Sequence, residues 1–371
     1  MRACAAVRSW PMSDSRSKSR ASRRATQKPR SVWRSLLAAL GIAGTAATCA
    51  AADVGFMKDV TFADASAAAS SAELARRMLS PLAYRRVAPH LGDARAMPLD
   101  VAKERFAVYM PEGAPPPSGY AVLVFIPPWS EAALPRDWPR VLDKHGMIFV
   151  SAANSGNDAD TLDRRVPLAL LGYENIRRRY PVDANRVYVG GLSGGSRVAL
   201  RVALAYPDLF RGALLNAGSD PFGGDSGLTI PPSDLFRRFQ DSTRIVFLTG
   251  ERDEVNVHND LVAGKSLREW CALDQETLTM PRRGHEIADA TGLARALREL
   301  EKSSPDDTAD IAACRAVVER KLAVDVATAE AAADHGERER TVDAMNAIDA
   351  RYGGLAADAL AEIERKLGPH D

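Results

Sequence analysis

The order of apolar and polar positions between residues 101 and 301 predicts a series of short strands. Phe106–Met110 alternates in character and ends at a proline, as a strand with one buried face does. Tyr120–Ile126 is a continuous apolar run, which is typical of a strand buried on both faces. Further strands are predicted at Met147–Ser151, Arg186–Gly190, Gly212–Asn216, Arg244–Thr249 and Glu276–Met280.

Stretches with helical periodicity lie between these strands. Alternation of strands and helices favours βαβ units, so we predict an α/β fold with a mostly parallel central sheet flanked by helices. A polar segment beginning at Ser303 introduces a C-terminal helical appendage. The helices within 101–301 are predicted at Asp163–Tyr180, Ser196–Tyr206, Val257–Trp270 and Ile287–Leu300.

Composition excludes several classes of protein. Hydrophobic residues make up 46% of the 371 residues and charged residues 26%, which argues against a disordered, collagen-like or multi-span membrane protein. The four cysteines form no CxxC pair, so no zinc site is expected, and no other metal or cofactor is predicted.

The net charge of +1 combines a basic head with an acidic body. Residues 1–34 contain ten Lys and Arg against one acidic residue, and the uncharged run Leu36–Ala52 follows. This order, ending in three alanines, is typical of a secretory signal peptide. The run, at about 17 residues, is short for a membrane span. A basic tail on a cytosolic protein is the alternative, whereas a nucleic-acid-binding arm would not explain the apolar run.

We therefore expect export to the periplasm or the outside of the cell, with no nucleic-acid partner and no stable membrane span in the mature form. Cysteine usage agrees with export, because removal of the head leaves an even pair, Cys271 and Cys314. In an oxidising compartment this pair could form a disulfide, and two buried free thiols are the alternative.

A serine lies where the predicted strand Arg186–Gly190 passes into a helix. The segment Gly191–Gly195 reads G-x-S-x-G around Ser193, in the strand–turn–helix context that gives this motif its meaning. Glycines permit a sharp turn, and the helix N-terminus places N–H groups beside the hydroxyl. Ser193 is the candidate nucleophile, and Ser196 is the nearby alternative.

A nucleophilic serine needs a base and an acid that orients the base, in the chain order serine, acid, histidine. His285 follows the strand Glu276–Met280 in a loop, where a catalytic histidine should project. Asp253 lies in the loop after Arg244–Thr249 and is the candidate acid, with Glu254 as the alternative. The other histidines after Ser193 lie in a predicted helix or in the tail: His258, His335 and His370.

Three segments resemble α/β-hydrolases of the polyhydroxybutyrate depolymerase and feruloyl esterase type. They are VDANRVYVGGLSGGSRVALRVALAYPDLFRGAL, FLTGERD and MPRRGHE, and the resemblance covers roughly 103–301. It implies an eight-stranded sheet with Ser193, Asp253 and His285 at the C-terminal ends of its strands. It also implies ester cleavage through an acyl-enzyme, with His285 first accepting and later donating the proton.

The loops near the serine supply the remaining candidates. One oxyanion donor should be the N–H of Gly194, and the second should come from the loop after Tyr120–Ile126. That loop contains two prolines, which have no N–H, so Trp129 is the candidate, with Ser130 as the alternative. Asn154 and Asn157 are candidate substrate-binding residues, and Gly218–Pro232 is either a flap or a plain surface loop.

The hypothesis is an exported serine hydrolase that cleaves carboxylic esters of small molecules or polymers. A peptidase or thioesterase on the same fold, and a non-catalytic binding protein, are the alternatives, because a fold does not determine its substrate. The expected organisation is a basic N-region and signal peptide at 1–52, an N-terminal extension at 53–102, the α/β-hydrolase catalytic domain at 103–301 and the helical appendage at 302–371.

Overall fold

A computed structural model describes residues 54–93, 96–223, 227–302 and 308–368. The predicted signal peptide lies outside these ranges. The described chain contains a single eight-stranded sheet. Its strands are β1 (Gly55–Val60), β2 (Phe106–Met110), β3 (Tyr120–Ile126), β4 (Met147–Ala152), β5 (Val182–Leu192), β6 (Gly212–Asn216), β7 (Arg244–Gly250) and β8 (Gln275–Met280).

The sheet has the strand order β1-β2-β4-β3-β5-β6-β7-β8. Strand β2 pairs antiparallel with both of its neighbours, and every other pair is parallel. This arrangement is the α/β-hydrolase fold, so the predicted fold class is confirmed. The carboxyl ends of β3 to β8 therefore lie at one edge, where ligands bind in open α/β sheets.

Helices cover both faces of the sheet and continue after it. Those connecting or preceding strands are α1 (Ser71–Met78), α2 (Pro81–Val87), α3 (Pro139–Lys144), α4 (Val166–Arg179), α5 (Gly194–Ala205), α6 (Ser233–Ser242) and α7 (Glu254–Glu269). Those after β8 are α8 (Ala290–Leu300), α9 (Thr308–Asp334), α10 (Arg338–Tyr352) and α11 (Ala357–Leu367).

Two hydrophobic clusters sandwich the sheet. Apolar side chains of α4, α5, α6 and α7 pack on one face, and those of α3 and α8 pack on the other. Strand β3 lies between the clusters, and each of its seven residues is buried. Burial on both faces explains why this strand consists only of apolar residues.

The predicted strands are all present, with bounds within a few residues. Strand β1 and the helices α2, α3 and α6 were not predicted. Strand β1 pairs with β2 at the edge of the sheet, and its residues alternate between exposed and half-buried positions. Helix α3 has only six residues, too few for helical periodicity to show.

The C-terminal helices form a third core with part of the N-terminal segment. Leu82 of α2 packs among buried side chains of α10 and α11, and its backbone N–H donates to Asp349 at 3.1 Å. Met345 and Ile348 of α10 are buried there, whereas Val317 on α9 is 41% exposed. The buried members from α10 onward are Met345, Ile348, Tyr352, Ala356, Leu360 and Ile363.

A disulfide joins Cys271, after α7, to Cys314 on α9, so the predicted pairing is confirmed. Around it, Arg315 donates to Gln240 and Asp241 of α6 at 2.6 and 2.7 Å. Covalent and polar contacts thus attach the start of α9 to the sheet-bearing part of the chain. Among the helices of the described ranges, none combines the length and apolar character that crossing a membrane requires.

Cys314→Ser should lower the free energy of unfolding by about 2–4 kcal/mol. Without the disulfide, the ends of the segment between the two cysteines, which are 43 residues apart, are no longer held together in the unfolded chain. Urea unfolding with and without dithiothreitol measures this difference. Reductant should lower the midpoint of the native chain and leave that of Cys271→Ser/Cys314→Ser unchanged. Equal midpoints for the native chain in both conditions would contradict the prediction.

Candidate active site

Ser193 lies at a strained turn between β5 and α5. Its backbone has φ 56° and ψ −122°, a conformation that non-glycine residues rarely adopt and that functional sites retain. Its N–H donates to the carbonyl oxygen of Asn216 on the neighbouring strand β6 at 2.9 Å. The turn therefore holds a half-buried hydroxyl at the carboxyl edge of the sheet, at the N-terminus of α5.

The glycines of the motif are required by close backbone contacts. A Cβ on Gly191 would lie 2.4 Å from the carbonyl carbon of Gly195. A Cβ on Gly195 would lie 2.0 Å from the carbonyl oxygen of Ile126, at the end of β3. Neither distance leaves room for a side chain, so the turn after β5 is in direct backbone contact with the end of β3.

Ser196, the alternative nucleophile, is fully buried one turn into the same helix. Its hydroxyl donates to the carbonyl oxygen of Gly218. A Cβ on Gly218 would in turn lie 2.4 Å from the carbonyl oxygen of Ser193. Ser196 thus holds the loop after β6 against the turn of Ser193. Its hydroxyl is not available to a substrate.

His285 and Asp253 lie within hydrogen-bond distance of each other. Nδ1 of His285 is 2.6 Å from Oδ2 of Asp253, and the imidazole is 47% exposed. Asp253 is buried and also accepts from the side-chain amide of Asn256 at 2.9 and 3.0 Å. Burial alone would raise the pKa of Asp253, but the hydrogen bonds from His285 and Asn256 outweigh it and lower the pKa below its usual value.

Glu254, the alternative acid, is the first residue of α7 and is exposed. His258, one turn further along α7, is also exposed. Neither side chain forms a hydrogen bond or ion pair to another described residue. Asp253, which caps α7 by accepting from the N–H of Asn256 at 3.4 Å, is the carboxylate beside His285.

Asn216 connects the parts of the site, and the sequence analysis did not single it out. Its carbonyl oxygen holds the N–H of Ser193, and its side chain, which is 1% exposed, bonds the loop that carries His285. Nδ2 donates to the carbonyl oxygens of Leu248 and Glu286 at 3.0 and 3.3 Å, and Oδ1 accepts from Ala288 at 2.8 Å. An asparagine at the end of a predicted strand was the available signal.

The structure brings Ser193, Asp253 and His285 to one edge of the sheet, where Asn216 joins the turn of Ser193 to the loop of His285. It contains the hydrogen bond between His285 and Asp253 but no hydrogen bond between Ser193 and His285. Such contacts commonly tighten only when a substrate is bound. Asp253 engages Nδ1 of His285, and no described residue hydrogen-bonds its Nε2.

The candidate oxyanion residues lie on two segments that touch. Gly194 begins α5, and neither its N–H nor that of Trp129 donates to another described residue. Asn157 lies against Gly194, because a Cβ on that glycine would be 2.2 Å from Oδ1 of Asn157. The Trp129 ring is 36% exposed.

The other candidate loops differ in their relation to Ser193. Asn154 is exposed, has a left-handed backbone with φ 51°, and donates its N–H to the carbonyl oxygen of Ser130 at 2.6 Å. In the segment 218–232, the described residues include the buried Phe222, Leu228 and Ile230. That segment is packed into the protein rather than laid over the site as a flap. Within the described ranges, no group of three or more His, Cys, Asp or Glu is arranged to hold a metal ion.

Part of the chain is similar to known proteins. No family model matches the chain. An alignment over 99 positions, which covers 23% of the chain, is 29% identical to a poly(3-hydroxybutyrate) depolymerase of Ralstonia pickettii. The matched region spans only 20% of that protein's length.

Similar solved structures include Est1E from Butyrivibrio proteoclasticus, which is 14% identical over 54% of this chain and 95% of its own, with a TM-score of 0.40. FphF, a fluorophosphonate-binding serine hydrolase of Staphylococcus aureus, is 13% identical over 55% and 94%, with a TM-score of 0.40. A thermostable esterase is 20% identical over 53% and 56%, with a TM-score of 0.37. Identities and TM-scores this low carry no argument about activity.

Proposed function

We propose that this protein is an exported serine hydrolase that cleaves carboxylic esters through an acyl-enzyme on Ser193. The observation that carries the proposal is the 2.6 Å contact between His285 and the buried Asp253, on loops tied to the strained turn at Ser193. Nucleophilic acyl transfer needs a serine at the edge of the sheet, an imidazole to accept its proton, and a buried carboxylate that orients the imidazole. The sequence similarity to a poly(3-hydroxybutyrate) depolymerase supports an ester as the substrate.

Proton transfer follows from how His285 is held. Asp253 accepts the Nδ1–H and keeps Nε2 unprotonated, so Nε2 removes the proton of Ser193 as Oγ attacks the ester carbonyl. The imidazolium that forms is stabilised by the carboxylate, whose lowered pKa keeps it ionised. His285 then donates the proton to the leaving alcohol, and it next activates the water that hydrolyses the acyl-enzyme.

The tetrahedral intermediate needs donors for its oxyanion. We assign this role to the N–H groups of Gly194 and Trp129, which lie on segments in backbone contact. The N-terminus of α5 adds a positive dipole end at Gly194. Donors fixed in this way do not have to reorganise during the reaction. This preorganisation is the main source of their effect on the rate. Asn157, beside Gly194, would contact the substrate near the same position.

Ser193→Ala should abolish labelling by a fluorophosphonate probe and lower kcat for p-nitrophenyl acetate by on the order of 10⁵-fold or more, because no nucleophile remains. Labelling followed by gel fluorescence, with initial rates on the ester and on a matched p-nitroanilide, measures both effects. Cleavage of the ester alone supports an esterase.

Ser196→Ala is the matched control, since its buried hydroxyl bonds only the Gly218 carbonyl oxygen. The folded fraction of this variant should still take up the probe. A native chain that neither labels nor cleaves the ester would refute the proposed function, and equal rates on ester and anilide would favour a peptidase.

Asp253→Asn should lower kcat for the ester by about 10³–10⁴-fold, because an amide no longer orients the imidazole or stabilises its charged form. Glu254→Gln should leave kcat within about twofold, because this exposed side chain has no partner at His285. Steady-state kinetics on both purified variants, with circular dichroism to verify folding, make the comparison. A larger loss in Glu254→Gln than in Asp253→Asn would reverse the assignment of the acid.

Export is the remaining part of the proposal and rests on the basic and apolar order of residues 1–52. The disulfide between Cys271 and Cys314 agrees with an oxidising compartment. Expressed in a bacterial host, the protein should be recovered outside the cytoplasm with a new N-terminus at or near Asp53. N-terminal sequencing measures this, and full-length protein confined to the cytoplasm would exclude export.

A further inference from the structure

Arg165 is a buried cation close to the candidate oxyanion residues. It ends a π-helical turn, Thr161–Arg165, that directly precedes α4, and its side chain is buried, with 4% of the residue exposed. Such turns are often retained at functional sites. Asp160 caps the turn by accepting from the N–H groups of Leu162 and Asp163 at 2.8 and 2.7 Å.

The partners of Arg165 are oxygens of two loops rather than a carboxylate. Nε donates to the carbonyl oxygen of Ser155 at 2.9 Å, and Nη2 donates to that of Pro127 at 3.1 Å. Nη2 is also 3.4 Å from Oδ1 of Asn157. Within the described residues the guanidinium forms no ion pair. Burial lowers the pKa of Arg165, which reflects the cost of holding a charge away from water.

Those two loops frame the turn at Ser193. Pro127 directly follows β3 and precedes the segment with Trp129, whereas Ser155 and Asn157 follow β4. A Cβ on Gly156 would lie 2.9 Å from the carbonyl carbon of Trp129, so the loops are in van der Waals contact. The N–H of Asn157 also donates to the carbonyl oxygen of Pro128 at 3.0 Å.

Resting on the proposed function, we propose that Arg165 is a positioning residue for the oxyanion site. Its planar guanidinium joins the loop of Trp129 to the loop of Asn157 and so fixes both against Gly194. The guanidinium places donors on separate nitrogens of a rigid plane, so Nε and Nη2 each reach a different loop. The three donors of a lysine ammonium share one nitrogen on a flexible stem and do not hold the two loops in this geometry. The adjacent prolines Pro127 and Pro128 have no N–H groups with which to bond the neighbouring loop, and the guanidinium donates to the carbonyl oxygen of Pro127 instead.

Arg165→Met and Arg165→Lys should each lower kcat for p-nitrophenyl acetate by about 10²-fold with little change in KM, because displaced oxyanion donors weaken the transition state alone. Rates are expressed per active site titrated with a fluorophosphonate, so unfolded protein does not count. Affinity for a methyl trifluoromethyl ketone, which forms a tetrahedral adduct on the serine, should fall by the same factor as kcat/KM.

Arg244→Met is the matched control, since this largely buried arginine at the start of β7 pairs with Asp274 at 2.7 Å, at the opposite end of that strand from the site. It should lower the melting temperature but keep kcat per titrated site and ketone affinity.

The proposal is overturned if both Arg165 variants keep native kcat per site and native ketone affinity, which would make Arg165 only structural. It is also overturned if Arg165→Lys restores both values, because charge alone would then suffice. If Arg165→Met does not fold, the lysine variant decides. A native chain without esterase activity or labelling overturns the proposed function first, so the two failures are distinct.

Discussion

The structure depends on how closely the turn after β5 approaches the end of β3. A Cβ placed on Gly195 would lie only 2.0 Å from the carbonyl oxygen of Ile126. That contact requires glycine, and it forces the chain to pass from β5 into α5 through the strained conformation of Ser193. A larger residue would separate β5 from the neighbouring loop, and with it the two candidate oxyanion donors. The same steric limit therefore shapes the fold and the site.

Local patterns predicted the centre of the sheet better than its edge. Strand β3 was placed correctly because burial on both faces selects an unbroken apolar run, which no other element of this length needs. Strand β1 was missed because its sequence includes Lys58 and Asp59, and pairing with β2 is what makes it a strand. Helix α6 was missed although Leu235, Phe236 and Phe239 form an apolar face that periodicity could have identified.

The site divides in the same way between local and distant contacts. The motif at Ser193 and the loops with Asp253 and His285 were predicted because each chemical role depends on a residue type at a strand end. Asn216 and Arg165 were not predicted, because their partners lie up to 72 and 38 residues away in the chain. Their roles follow from which oxygens and N–H groups they reach, and no local pattern encodes those positions. The candidate reacting groups could thus be predicted from local sequence, whereas the contacts that hold them could not.

The loop after β6 extends this support to the C-terminal helices. Gly218 packs against the carbonyl oxygen of Ser193, and further along the same segment the carbonyl oxygen of Ile230 accepts from the N–H of Gly354 at 2.8 Å. A Cβ on Gly354 would lie 2.1 Å from the carbonyl oxygen of Pro231, so this second contact is as close as the first. One packed segment is thus fixed beneath the serine at its start and against the end of α10 further on. Because such contacts tolerate little displacement, the helices after α8 constrain the position of the loop that packs against Ser193.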